Sequence, residues 1–238
     1  MAHTFISLAR GISAAISAQH RFTTDSVLLA RFAAPRATEI AAEFCCGCGA
    51  VTLLWFGEGE TPPASTVGVE LVPEAAQLFS LSVAKNKLQD RITVVCADLK
   101  DYKNIPELVP NAFDLVVCNP PYFEAGYGQG PRQTARQETA VSIGEVCAAA
   151  SRALRYGGRF CVCFKPQRLP DLFEAMRAAG IEPKRIRPVL VRQSQPPHLL
   201  LVEGRLGGNR QLDWLPAWVL QSDDGSFSGD YHEIYRMR

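Results

Sequence analysis

No apolar run in this 238-residue chain approaches the ~20 residues needed to cross a bilayer; the longest are strand-sized, so no transmembrane helix is expected. Histidine is scarce, with four in the chain, and no C-x-x-C pair is matched by a second one or by a nearby His pair. Zinc-site spacing is therefore missing and no metal is expected. Eight cysteines are present, arranged as Cys45-Cys46-x-Cys48, Cys161-x-Cys163 and the isolated Cys96, Cys118 and Cys147 within apolar stretches. Neighbours so placed cannot easily pair with each other, and the reading is reduced core thiols in a cytoplasmic protein. Acidic residues are absent from the first 24 positions, where Phe5, Leu8, Ile12 and Ile16 recur at helical spacing among Ser and Ala. Such a pattern suits a mitochondrial transit peptide, or an amphipathic first helix packed on the domain; the second is the expectation here, with residues 1–35 a helical segment. Internal repeats and long linkers are also missing, so residues 1–238 are read as a single domain.

What is present is enough apolar material for a full core, 47% hydrophobic side chains, and an uneven charge distribution. The net charge is only +1, yet residues 151–210 carry 12 Lys and Arg against 4 Asp and Glu. A surplus of that size suggests a side facing a polyanion.

From about residue 38, short β-rich runs alternate with helical patterns. They are "TEIAAEFCC" then Gly49 to Phe56, "STVGVEL" then Pro73 to Lys87, "RITVVCADL", "FDLVVCN" then Thr139 to Tyr156, and "GRFCVCFKP" then Leu169 to Ala179. Alternation of this kind predicts βαβ units and a parallel sheet covered on both faces. The closing "RIRPVLVRQSQPPHLLLVEGR" has no room for a helix between its two strands, so those strands are expected to pair antiparallel. The fold class is α/β: a doubly wound, mostly parallel seven-stranded sheet ending in an antiparallel hairpin.

Two features mark the carboxyl ends of the strands, where ligands of open α/β sheets bind. In "EFCCGCGA", Gly47 and Gly49 permit a tight turn and close approach to the main chain. About 20 residues on, Glu70 ends the next strand, where a carboxylate can accept from two ribose hydroxyls. Thr52 stands where a nicotinamide-type G-x-G-x-x-G needs Gly or Ala, and Asp98 follows the third strand, suited to the amino group of an adenine. An adenosine cofactor without phosphates, S-adenosylmethionine, suits that set. The second feature is "CNPPY". The Asn119 carboxamide oxygen and the Pro120 carbonyl are two acceptors, Pro121 has no competing N–H, and Tyr122 can lie on a base. Paired acceptors hold an NH2 group with its lone pair free to attack a methyl group.

An NPPY after a strand, preceded by a glycine-rich turn and an acidic strand end, resembles the amino methyltransferases that act on adenine N6 or glutamine N5. The series "HRFTTDSVLLARF", "VELVPEAAQLFSLSVAKNKLQDRITVVCADL", "NPPYFEAG", "ALRYGGRFCVCFKP" and "LLLVEG" is similar, in order and spacing, to the bacterial tRNA1(Val) adenine N6-methyltransferase family from about residue 20 to 205. The resemblance implies class I methyltransferase topology and a tRNA partner. It implies S-adenosylmethionine held by Glu43, Cys45, Gly47, Gly49, Glu70, Leu71, Asp98, Leu99 and Asn119, with Thr24 and Asp25 beside it. The catalytic segment is then Asn119, Pro120, Pro121 and Tyr122. Tyr122, Phe123, Arg132, Arg136, Lys165 and Arg168 are read as the RNA-binding residues. This chain departs from the family's usual Gly at Cys45 and usual Asp at Glu43; a positive φ at Cys45 would be strained. Two other readings share the motifs. A glutamine N5-methyltransferase carries a sizeable helical domain ahead of the glycine turn, for which only about 44 residues are present; a degenerate RNA-binding module would bind no cofactor.

Overall fold

A computed structural model describes residues 2–120 and 141–235. The expected strands are all present: β3 (Ile40–Phe44), β4 (Ser65–Glu70), β5 (Ile92–Cys96), β6 (Phe113–Cys118), β7 (Leu154–Phe164), β8 (Ile181–Leu190) and β9 (Leu199–Leu206). They form one sheet in the order β8-β9-β7-β6-β3-β4-β5. Strand β9 runs antiparallel to both β7 and β8, while β3 to β7 are parallel to one another. Two-residue strands β10 (Asp213–Trp214) and β11 (Trp218–Val219) extend the β8 edge, giving this sheet nine strands among the described residues where seven were expected. They were not legible because two residues carry no periodicity.

Helices cover both faces: α1 (Thr24–Ala33), α2 (Ala50–Trp55), α3 (Pro73–Lys85), α4 (Ile143–Ala153), α5 (Leu169–Ala178) and the short α6 (Gly229–Tyr235). Burial on both faces is why the central strand reads as an unbroken apolar run: Leu115 to Cys118 of β6 are wholly buried. Helix α4 starts at a capping box in which Ser142 and Glu145 satisfy each other's backbone N–H groups. It ends at Ala153, three residues before the expected Tyr156, because Leu154 is already extended and begins β7.

The N-terminal expectation is overturned. Residues 4–16 form an antiparallel hairpin, β1 (Thr4–Ala9) and β2 (Ile12–Ile16), and helix begins only at Thr24. A four-residue repeat also satisfies a two-residue one, so Ile12 and Ile16 suit either element. Gly11, at φ 72, supplies the turn that decides between them. The edge of β2 does not meet water alone: Ser82 Oγ accepts from Ala15 N–H at 2.8 Å, and Asn86 both accepts from Ser13 N–H at 2.9 Å and donates to Ser13 O at 2.7 Å. One face of α3 thus replaces the missing strand partner.

Part of the basic block at 151–210 is held by carboxylates of the fold itself, and only Arg159 among the paired basic residues is buried. Arg159 is buried between Glu39 at 2.8 Å and Glu203 at 3.2 Å; Glu203 also accepts from Arg185. Arg177 pairs with Glu182, Arg155 with Asp114 and Arg168 with Asp171. Two of these carboxylates, Glu39 and Asp114, lie outside the block in sequence, so a local charge count could not find them.

Candidate active site

Strand β3 pairs with β4 on one side and β6 on the other, and chain order reverses there. A crevice opens at such a switch point outside the carboxyl ends of the strands. The loop after β3 enters it in left-handed conformation at Cys45 (φ 54), Gly47 (φ 55) and Gly49 (φ 80). The positive φ anticipated for Cys45 is therefore real, a conformation that costs a non-glycine residue about 1–2 kcal/mol. Cys45 follows Phe44, which pairs with Cys118, the last residue of β6, so the loop starts beside the strand that delivers Asn119.

The two glycines differ. A Cβ on Gly47 meets nothing within 4 Å, whereas one on Gly49 falls 2.1 Å from the Phe79 ring. Gly49→Ala is expected to be the more destabilising change, adding about 1–3 kcal/mol of overpacking to the backbone strain that Gly47→Ala incurs alone. Thermal melts of the two variants side by side check this; equal losses would mean that Phe79 moves aside freely.

Two carboxylates hold the loop. Glu70, buried at the end of β4, accepts from Gly47 N–H at 2.7 Å through Oε2 and from Val72 N–H at 2.9 Å through Oε1. Glu43, 3% exposed, accepts from Thr52 N–H at 2.9 Å and so secures the first turn of α2. Burial pushes the Glu43 carboxyl up from 4.5 to about 7, with Glu70 reinforcing the shift and the Thr52 hydrogen bond opposing it. Between those two values the unfolded carboxyl has lost its proton and the buried one has kept it, so stability falls as pH rises through the window. Glu43→Gln retains the oxygen acceptor and is expected to stabilise the fold at pH 8 by up to roughly 3 kcal/mol, seen as a higher Tm, and to change it little at pH 5. The same Tm difference at both pH values would exclude Glu43 as the titrating group. The neighbouring thiols are buried too; Cys48 is pushed up to about 11 by burial and packs as a protonated thiol.

Asp98 follows β5, half-buried, and caps a 3-10 turn by accepting from Lys100 N–H at 2.9 Å. The adjacent Ala97 N–H donates to Glu70 O, which sets the ends of β4 and β5 side by side. Leu71 projects into solvent while the Leu99 side chain is 4% exposed within the core, so Leu99 has only its main chain to offer a ligand.

Asn119 emerges from β6 with its carboxamide held at both ends. Cys163 Sγ donates to Asn119 Oδ1 at 2.9 Å, and Asn119 Nδ2 donates to Ser26 Oγ at 3.4 Å. Ser26 lies in the first turn of α1, beside Thr24 and Asp25; Thr24 Oγ1 bonds the Tyr235 hydroxyl at 3.2 Å. His198, at the start of β9, completes this edge, its pKa lowered by burial and partly restored by Asp25. The sequence-predicted Thr24, Asp25, Glu43, Cys45, Gly47, Gly49, Glu70, Asp98 and Asn119 thus lie along one edge of the sheet. Lys165 and Arg168, just after β7, share it, with Arg168 paired to Asp171. Ser26, Cys163, His198 and Tyr235 were missed: Cys163 reads as strand core, and Tyr235 is far from Thr24 in sequence. Pro120 is buried; Pro121, Tyr122, Phe123, Arg132 and Arg136 lie outside the described residues.

The family profile of the methyltransferase small domain matches residues 14–177. The chain belongs to that family. This methyltransferase is 29% identical over 221 residues to a tRNA1(Val) (adenine(37)-N6)-methyltransferase of Porphyromonas gingivalis, covering 89% of this chain and 85% of the relative. It is 27% identical to the protein of the same name from Yersinia enterocolitica, covering 87% and 81%. Among solved structures, a predicted O-methyltransferase from Agrobacterium tumefaciens has the same fold, with TM-score 0.72 at 18% identity over 90% of this chain and 96% of the other. TYW2 of M. jannaschii, solved in complex with AdoMet, superposes with TM-score 0.57 at 14% identity over 85% and 84%.

Proposed function

We propose that this methyltransferase transfers the methyl group of S-adenosylmethionine to the exocyclic N6 amine of an adenine in tRNA. The observation that carries the reading is Asn119, delivered to the switch-point crevice with its carboxamide oxygen fixed by Cys163. The names of the relatives, over 85% and 81% of whose length the match extends, support the choice of substrate.

The crevice fits the cofactor. Open space over Gly47 leaves its main chain approachable, and the Glu70 carboxylate beneath the loop favours a cationic ligand. Glu70, Asp98, the main chain of the 45–49 loop and of Leu71 and Leu99 would hold it, with Thr24 and Asp25 alongside. When bound, it supplies an electrophilic methyl group on a sulfonium.

The chain's own part is orientation and polarity. One Asn119 Oδ1 lone pair is occupied by Cys163, and the other is left to accept from the adenine amine. The Pro120 carbonyl is the second acceptor. Drawing both N–H groups into hydrogen bonds weakens delocalisation into the ring and frees the nitrogen lone pair for attack. A strong base is unnecessary, because the nitrogen becomes acidic once methylated. Lys165 and Arg168 lie at this edge as phosphate contacts, the role the sequence also suggests for Arg132 and Arg136.

The test has two parts. Isothermal titration with S-adenosylmethionine is expected to give a single saturable site, and no uptake would mean a binding module without catalysis. Mass spectrometry of nucleosides from unmodified tRNA treated with protein and cofactor is expected to show N6-methyladenine; methylation elsewhere would overturn the assigned position.

A further inference from the structure

Asn119 offers a substrate amine either an acceptor or a donor, depending on which way its carboxamide faces. Only the acceptor orientation is productive, since NH2 against NH2 repels. A freely rotating carboxamide would divide its time between the two. Here the side chain is gripped on both sides: Cys163 Sγ is 2.9 Å from Oδ1, and Ser26 Oγ accepts from Nδ2. Cys163 is wholly buried on β7, and β7 is hydrogen-bonded to β6 with Cys118 opposite Val162, so the backbone that carries the thiol is fixed in the central sheet.

We propose that Cys163 is a positioning residue for methyl transfer: its S–H selects the acceptor orientation of Asn119 and leaves one Oδ1 lone pair for the target amine. The proposal rests on the proposed amine methylation, since it concerns the residue that holds that amine. Cys163 itself touches neither substrate nor cofactor. The same bond places a donor on an oxygen that must draw density from the amine, so its loss acts on turnover rather than on cofactor binding. A neutral side-chain hydrogen bond contributes about 0.5–1.5 kcal/mol net, so the expected effect is roughly 3- to 10-fold.

The experiment compares Cys163→Ala and Cys163→Ser in the full chain, measuring kcat, KM for tRNA, the S-adenosylmethionine Kd by titration, and Tm. Alanine removes the donor at little cost in volume. It is expected to lower kcat about 3- to 10-fold with Kd and KM unchanged. Serine restores a donor but buries a hydroxyl in apolar surroundings. Its Tm is expected to fall below that of Cys163→Ala while kcat recovers most of the loss. That reversed ranking of stability and turnover is something a packing role would not produce. Turnover by Cys163→Ala equal to the parent's, or equal losses in both variants, overturns the proposal alone. A parent protein that binds cofactor yet methylates no adenine amine overturns the functional reading and the proposal with it.

Discussion

Asn119→Ala is expected to lower kcat for tRNA methylation by 100- to 1000-fold while leaving the S-adenosylmethionine Kd within a few-fold of the parent value. The magnitude comes from removing one pre-oriented hydrogen bond aimed at the developing charge, a loss of about 2.7–4 kcal/mol. Asn119 is half-buried and, among the described residues, its carboxamide bonds the side chains of Ser26 and Cys163, so truncation leaves the backbone of β6 paired as before. Tm is therefore expected to drop by no more than those two contacts and a small void require. Asn119→Asp is a sharper variant. It keeps an acceptor and the shape but puts a negative charge beside a thiol that donates, and it loses the donor to Ser26. Intermediate turnover would separate the acceptor's contribution from the exact carboxamide geometry. Single-turnover rates check both, because product release does not enter. Asn119→Ala activity within a few-fold of the parent would remove Asn119 from the reaction and leave the Pro120 carbonyl as the sole acceptor.

The sheet was legible because fully buried parallel strands leave a signal that does not depend on partners: short β-branched runs separated by helix-length segments. The antiparallel β8–β9 pair was legible for a different reason, the lack of residues to build a crossover. Where the sequence misled, the competing physics is identifiable. Ile12 and Ile16 fit two periodicities, and a single glycine turn chose the strand. Within the positive stretch at 151–210, Arg159 is drawn inward by Glu39 and Glu203, which a linear count of charge does not reveal. In the site itself, Glu70, Asp98 and Asn119 announce themselves because each sits at or just after a strand end, and Gly49 because it stands in the turn between a strand and a helix. Cys163 and Ser26 do not, since what they do depends on a contact across 44 and 93 positions of chain, and nothing local encodes it.

Glu70→Ala is expected to weaken S-adenosylmethionine binding by more than tenfold and also to lower the stability of the cofactor-free protein. The second effect departs from the simplest view of a strand-end carboxylate waiting for two ribose hydroxyls. Its oxygens already accept from Gly47 N–H and Val72 N–H, at 2.7 and 2.9 Å. Hydrogen bonds to a charged group contribute about 1.5–3 kcal/mol each, and a buried N–H left without a partner carries its own penalty. A carboxylate has about four lone-pair sites, so two remain for hydroxyl donors after both backbone groups are served. The same side chain thus fixes the glycine turn and recognises the ligand. Cys46 N–H still donates to Val69 O at 3.1 Å in the variant, which is expected to keep the loop near its place without holding Gly47. Glu70→Gln divides the two roles: its single oxygen can serve one of the two backbone donors, and its NH2 can serve neither. It is expected to fall between the parent and Glu70→Ala in Tm but close to Glu70→Ala in cofactor affinity. Thermal melts without ligand, paired with calorimetric titration, measure both quantities on one preparation. An unchanged Kd alongside a lowered Tm would leave Glu70 as a loop anchor only, and would move ribose recognition to Asp98 and the exposed main chain at Leu71.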